Sequence, residues 1–158
     1  MTSFFFSKNA GAHGYCLSVC LCLPELHGLS TAADNEVLVY IDGTLIQTKQ
    51  GWGSEIAAAL VDACVLAVEA TNWVDASPYG FMVSAGDDVI TDTSWRCSSD
   101  EEDGWMLFWF NDSHWQPAAV IGANGDGPWG NVGAISHNAQ WIWSSTYSGT
   151  TYCRKVVC

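Results

Sequence analysis

EVLVYIDGTLIQT, residues 36 to 48, is the stretch on which the fold turns. Val37, Val39 and Ile41 alternate with Glu36, Leu38 and Tyr40, and in an extended chain alternate residues face opposite sides. Asp42-Gly43 follows. That dipeptide readily takes positive φ at both central positions of a two-residue hairpin turn. Leu45 and Gln47 lead the chain back. The segment reads as a β-hairpin with one face turned to a core.

The same period recurs outward from it. In CVLAVEATN, residues 64 to 72, Cys64, Leu66, Val68 and Ala70 alternate with Val65, Ala67 and Glu69. This predicts a strand over 64–70, with Cys64 buried and Glu69 on a wet face. Residues 56 to 61 fit a helical turn, which their alanines favour, or an extended segment. Further strands are predicted at 81–85 and 89–91, joined by Gly86-Asp87-Asp88, then at 95–97, 139–143 and 151–157. NWVDASPYG, residues 72 to 80, and the acidic SSDEEDG, residues 98 to 104, read as loops. Short strands with turn chemistry between them argue for an all-β, two-sheet antiparallel sandwich or a barrel.

Composition agrees. Nine Trp and a 13% aromatic share suit pleated, half-buried surfaces better than a helical bundle. The formal net charge is −12, and the only basic cluster is Arg154-Lys155. A surface this acidic repels nucleic acid and anionic membrane. No apolar run is long enough to span a bilayer.

Residues 1 to 32 read differently from the rest. Lys8, the apolar run from Tyr15 to Leu23 and the small residues Ser30-Thr31-Ala32 follow the plan of a secretory signal. The expected domain therefore runs from 33 to 158, in a secreted, extracellular protein. Four cysteines remain in it, Cys64, Cys97, Cys153 and Cys158, with three possible connectivities. Cys97 with Cys153 is the preferred disulfide, each near the end of a candidate strand. Reduced core cysteines are the alternative. Without a CxxC, a zinc site is not expected.

No HExxH, GxSxG or phosphate-loop motif occurs. Asp87 and Asp88 are adjacent, so on a strand they point to opposite faces and cannot pair across a bond. The expectation is a protein that is not an enzyme. Asn111-Asp112-Ser113 is an N-glycosylation sequon, usable only in a chain exported by a eukaryotic cell.

The tryptophans divide by context. Trp141 and Trp143 stand two apart, on one strand face by alternation, and read as core. Trp95, Trp105 and Trp115 read as structural. Trp129, after Pro128 in a glycine-rich loop, is expected to be partly exposed. Trp73, in the polar loop, is the best candidate for a ligand surface. Sugars present apolar C–H faces and many hydroxyls, so a site for them needs a flat ring with polar groups around it. Asn72, Trp73, Asp75, Tyr79 and Trp129 meet that description by type.

ADNEVLVYIDG, CVLAVEATN, ITDTSWRCS, GW, DSHWQPAAVIG, GPWGN, AQWIW and YCRK follow one another in this order. The series, over about residues 33 to 157, resembles the galactose-binding-domain-like jelly-roll family. The similar branch is the one seen in secreted lectin-like proteins and in accessory domains of glycoside hydrolases. The chain departs from it in placing the WIW-type and YCRK-type strands last. The resemblance implies a β-sandwich with sugar-binding loops at one end, and an extended segment rather than a helix before CVLAVEATN. It also implies a structural Ca2+ near the loop end, with oxygens available at Asp34, Asn35 and Asp42, or at Asp87, Asp88 and Asp92. The leading expectation is a secreted, non-catalytic carbohydrate-binding module whose partners are glycans or glycoproteins. A structural or adhesive subunit that self-assembles, and an accessory domain of a glycoside hydrolase, are the alternatives.

Overall fold

The computed structural model describes residues 28 to 53, 55 to 59, 63 to 75 and 77 to 158. The described elements are all strands: β1 (Gly28–Asp34), β2 (Glu36–Ile41), β3 (Thr44–Gln50), β4 (Glu55–Ala59), β5 (Val65–Thr71), β6 (Gly80–Ala85), β7 (Val89–Ile90), β8 (Arg96–Ser98), β9 (Gln116–Pro117), β10 (Ala119–Ala123), β11 (Gln140–Trp143) and β12 (Thr150–Val156). They form two antiparallel sheets. One runs β10-β11-β6-β1-β4, with β7 also on β6, and the other runs β3-β2-β5-β12-β8-β9. The expected all-β sandwich is what the chain adopts.

The hairpin is as its sequence predicts. Ile41 pairs with Thr44, leaving Asp42 and Gly43 as the turn, with φ of 48° and 83°. A Cβ on Gly43 would lie 2.4 Å from Leu107 Cδ2, so glycine here serves both the turn and a close neighbour. Asp42 closes the same end, its carboxylate accepting from the backbone N–H groups of Cys64 and Val65.

Leu66, Val68 and Ala70 of β5 meet Phe81, Val83 and Ala85 of β6 between the sheets, together with Trp95 and Trp143. The outer faces are covered too. Residues 124–139 lay Trp129, Val132 and Ile135 against Met82 and Trp141 on the first sheet. Residues 99–115 lay Trp105 and Trp115 against Val65 and Ala67 on the second. These covers explain why β5 and β6 are largely buried on both faces although the strands are antiparallel.

Cys97 and Cys153, directly opposed on β8 and β12, form the expected disulfide, with their Cα atoms 4.1 Å apart. Other expectations change. β1 begins at Gly28, and Leu29, Thr31, Ala32 and Ala33 are buried. The sandwich therefore includes residues 28 to 32, and the small residues read as a cleavage region are a core strand. The rest of that N-terminal segment, 1 to 27, lies outside the described residues. Residues 55 to 59 are a strand, not a helical turn. Cys64 is half-buried rather than buried, because β5 starts one residue later. Trp141 and Trp143 are both fully buried, but in different clusters. Trp143 is the last residue of β11, where alternation no longer holds, and its ring packs edge-on to Tyr79 in the inner core.

Candidate functional site

Among the described residues, the crossings between sheets at 34–36, 51–53, 72–75 with 77–79, and 144–149 gather at one end of the sandwich, and Asn35 ties the first three together. Its backbone N–H donates to Thr71 O (3.0 Å) and its carbonyl accepts from Gly51 N (2.7 Å). Its side-chain oxygen accepts from Trp73 N (2.8 Å). One residue therefore fixes the backbone beside two exposed rings, Trp52 at 59% and Trp73 at 56% exposure. Lys49, itself buried, adds to this by donating to the carbonyls of Gln50 and Gly51 (3.1 and 3.0 Å).

Asp34 stands next to Asn35. Oδ1 accepts from the Asn35 amide (2.7 Å) and Oδ2 from Trp129 Nε1 (2.9 Å). Trp129 lies flat on Trp141, centroids 4.1 Å apart and planes 24° from parallel. It is only 8% exposed, so the partial exposure expected for it does not occur. Its faces are occupied and its N–H is spent on Asp34, which makes it a support. Gly80 admits this packing, since a Cβ there would press on the Trp141 ring at 3.2 Å.

Asn72 is likewise a support. It is 5% exposed. Its amide nitrogen donates to Val74 O (3.0 Å) and Tyr147 Oη (3.1 Å), and its oxygen accepts from Ser77 Oγ (3.2 Å). The Trp73 loop is thus folded around Asn72. Tyr79 is half-buried between Trp143 and Tyr147. Trp73, Val74 and Asp75 are left facing solvent. Trp52 was not anticipated from the sequence, although a lone tryptophan between Gly51 and Gly53 directly after a strand is a usable signal. It borders a cleft of about 210 Å3 lined also by Asn131, Val132 and Gly133.

The candidate metal ligands separate. Asp42 lies at the opposite end, bonded to Cys64 and Val65. Asp87 accepts from the Ser136 hydroxyl, and Asp92 from Ser94 N. Asp88 is exposed on the turn between β6 and β7. Among the described residues no three His, Cys, Asp or Glu side chains converge. Of the six candidates, Asp34 and Asn35 bring hard oxygens to the loop end, so a cation held there would complete its shell with other oxygens and water.

A larger cleft, about 440 Å3, lies between residues 97–102, 114–116 and 144–146. Glu102 Oε1 accepts from Trp115 Nε1 (2.6 Å) and bonds His114 Nε2 (2.8 Å). These bonds, the Trp115 one first, hold the Glu102 carboxyl below its ordinary range. A carboxylate so stabilised is ionised at neutral pH and holds no proton to deliver as a general acid. Trp115 is buried, and among the residues lining this cleft there is no exposed Trp, Tyr or Phe ring.

No family model matches the chain. An α-L-rhamnosidase of Streptomyces avermitilis is 31% identical over 133 residues, covering 72% of this chain and 13% of that enzyme. The chain thus spans a small part of the curated relative it matches. Among solved structures, the Pleurotus ostreatus lectin in complex with GalNAc superposes with a TM-score of 0.52 at 25% identity, over 72% of this chain and 37% of that one. The apo form of that lectin gives 0.51 at 24% over the same shares.

Proposed function

We propose that the chain is a non-catalytic carbohydrate-binding module of the galactose-binding-domain-like type, acting outside the cell. The observation that carries this is the Asn35 tie. It fixes the backbone next to Trp52 and Trp73 at one end of a rigid sandwich and leaves both rings in solvent. Exposed indoles are ready to take the C–H face of a sugar, and the protein does not spend entropy ordering their backbone on binding. Asp34 and Asp75 bring carboxylate oxygens to the same end for hydroxyl groups. The GalNAc complex of the lectin with the similar fold supports a glycan as the ligand class.

Ca2+, if bound, belongs at Asp34 and Asn35, where it would orient the sugar hydroxyls. The chain's own part is to hold those two oxygens in place through Trp129 and Trp73. A glycan array that includes GalNAc, run with and without chelator, tests both statements. Binding to at least one glycan is expected, weakened by chelator. An empty array overturns the module. Unchanged binding in chelator overturns the metal.

The rhamnosidase match favours one version of this reading, an accessory domain that targets a hydrolase to its substrate. Such a module holds sugar without cleaving it, so the chain should leave an aryl rhamnoside intact.

A further inference from the structure

The sequon Asn111-Asp112-Ser113 lies on the cover of the second sheet, away from the loop end. Phe110 N donates to Leu107 O (3.1 Å), closing a turn with Phe108 and Trp109 at its tip. Trp115 N donates to Asp112 O (2.9 Å), closing the next turn. Asn111 stands exposed between the two, its side-chain oxygen accepting from Ser113 N (3.2 Å). Among the described residues its amide nitrogen donates to no acceptor.

The segment is gripped from both sides by one side chain. Arg154 is 1% exposed. It donates to Leu107 O (3.0 Å) and to the Asp112 carboxylate, with its guanidinium 5.5 Å from the centre of the Phe110 ring. Between these anchors Phe108 is 43% and Trp109 78% exposed. A ring that bare, on a segment that well fixed, has room for a partner. Two residues of chain reach at most about 7 Å, so the Trp109 backbone lies close to the point where a sugar would be attached at Asn111.

We propose that Asn111 is an N-glycosylation acceptor and that Trp109 is the floor on which the first N-acetylglucosamine rests. In a eukaryotic secretory lumen the Asn111 amide nitrogen attacks C1 of a lipid-pyrophosphate-linked oligosaccharide. The N–C1 bond forms, the C1–O bond breaks, the amide loses a proton and the lipid pyrophosphate leaves. The Ser113 hydroxyl completes the acceptor. The apolar C–H face of the sugar then covers the indole. Leu107 packs on Gly43, at the hairpin end opposite Asn35, so the glycan leaves the loop end clear.

The test is the full chain, placed behind a cleavable secretory leader and expressed in eukaryotic cells. Its intact mass should exceed the polypeptide mass, and peptide amidase should remove the excess and convert Asn111 to Asp. N111Q and S113A should each abolish the excess while folding normally, since both side chains are exposed. The glycosylated form should melt above the amidase-treated form, and in W109A that difference should vanish while the glycan stays attached. An exported chain with Asn111 unmodified overturns the acceptor. A glycan-dependent melting shift unchanged in W109A overturns the role of Trp109.

Discussion

Nine tryptophans share one chain, yet their surroundings set them to different tasks. Trp143 is fully enclosed, its Nε1 bonded to Ser148 O at 3.2 Å. Trp143→Ala should cost about 3–5 kcal/mol, for the buried surface lost and the cavity left. Against a typical total of about 5–15 kcal/mol, this brings the domain close to unfolding. Trp73→Ala should change stability by less than about 0.5 kcal/mol, because the ring has little packing to lose and the backbone N–H that Asn35 holds remains. Thermal melts of the two variants check the contrast. The exposure of Trp73 was legible, because a ring amid Asn, Asp, Ser and Pro has no strand alternation to bury it. The burial of Trp129 was not. Its partner Asp34 lies 95 positions away in the chain, and its stacking partner Trp141 belongs to another element. The same limit applies to Asn72, whose residue type suits a ligand contact and whose hydrogen bonds are all internal.

At the scale of elements, β5 carries Glu69 on its outer face, beside Tyr40 and Tyr152 under the cover of residues 99–115. Burial, then the charges of Glu101 and Glu36, push the Glu69 carboxyl above its ordinary value of 4.5. Between that value and the raised one the folded state binds more proton than the unfolded state. Stability therefore falls as pH rises through this window, and Glu69 ionised is a cost at neutral pH. Glu69→Gln should stabilise the protein at pH 7 and make little difference below about pH 4.5, which denaturant melts at the two pH values will read. The disulfide acts on β8 and β12, joining residues 56 apart. Reducing it should cost about 4 kcal/mol by restored freedom of the unfolded chain, seen as a lower denaturation midpoint. Strands with strict alternation, the hairpin and β5 above all, were legible because one period accounts for one buried face. The covers were not. WMLFWF, the most apolar run, is a series of turns that buries Trp105 and exposes Phe108 and Trp109. Periodicity reports a face, and this segment has none. β1 escaped notice for a related reason, its small residues reading equally well as a processing site and as a strand lodged between β4 and β6.

On the scale of the whole molecule, two sheets packed on one another and covered over part of their outer faces form the body, and crossings between them converge at Asn35. The opposite end is closed by the hairpin turn and Asp42, and the outer faces by apolar covers. At the loop end, hydrogen-bonded backbone, the exposed rings of Trp52 and Trp73 and the oxygens of Asp34 and Asp75 coincide. The net charge of −12 keeps such a body soluble and gives it no attraction for anionic partners, which a neutral sugar does not require. The central claim is therefore that Trp52 and Trp73 contact the ligand. The direct measurement is calorimetric titration of the best glycan from the array into wild type, Trp52→Ala and Trp73→Ala, each shown to melt as wild type does. Loss of a stacked ring worth about 0.5–1.5 kcal/mol should weaken binding roughly 2- to 12-fold in at least one variant. Wild-type affinity in both variants would contradict the account and move the site away from this end of the sandwich.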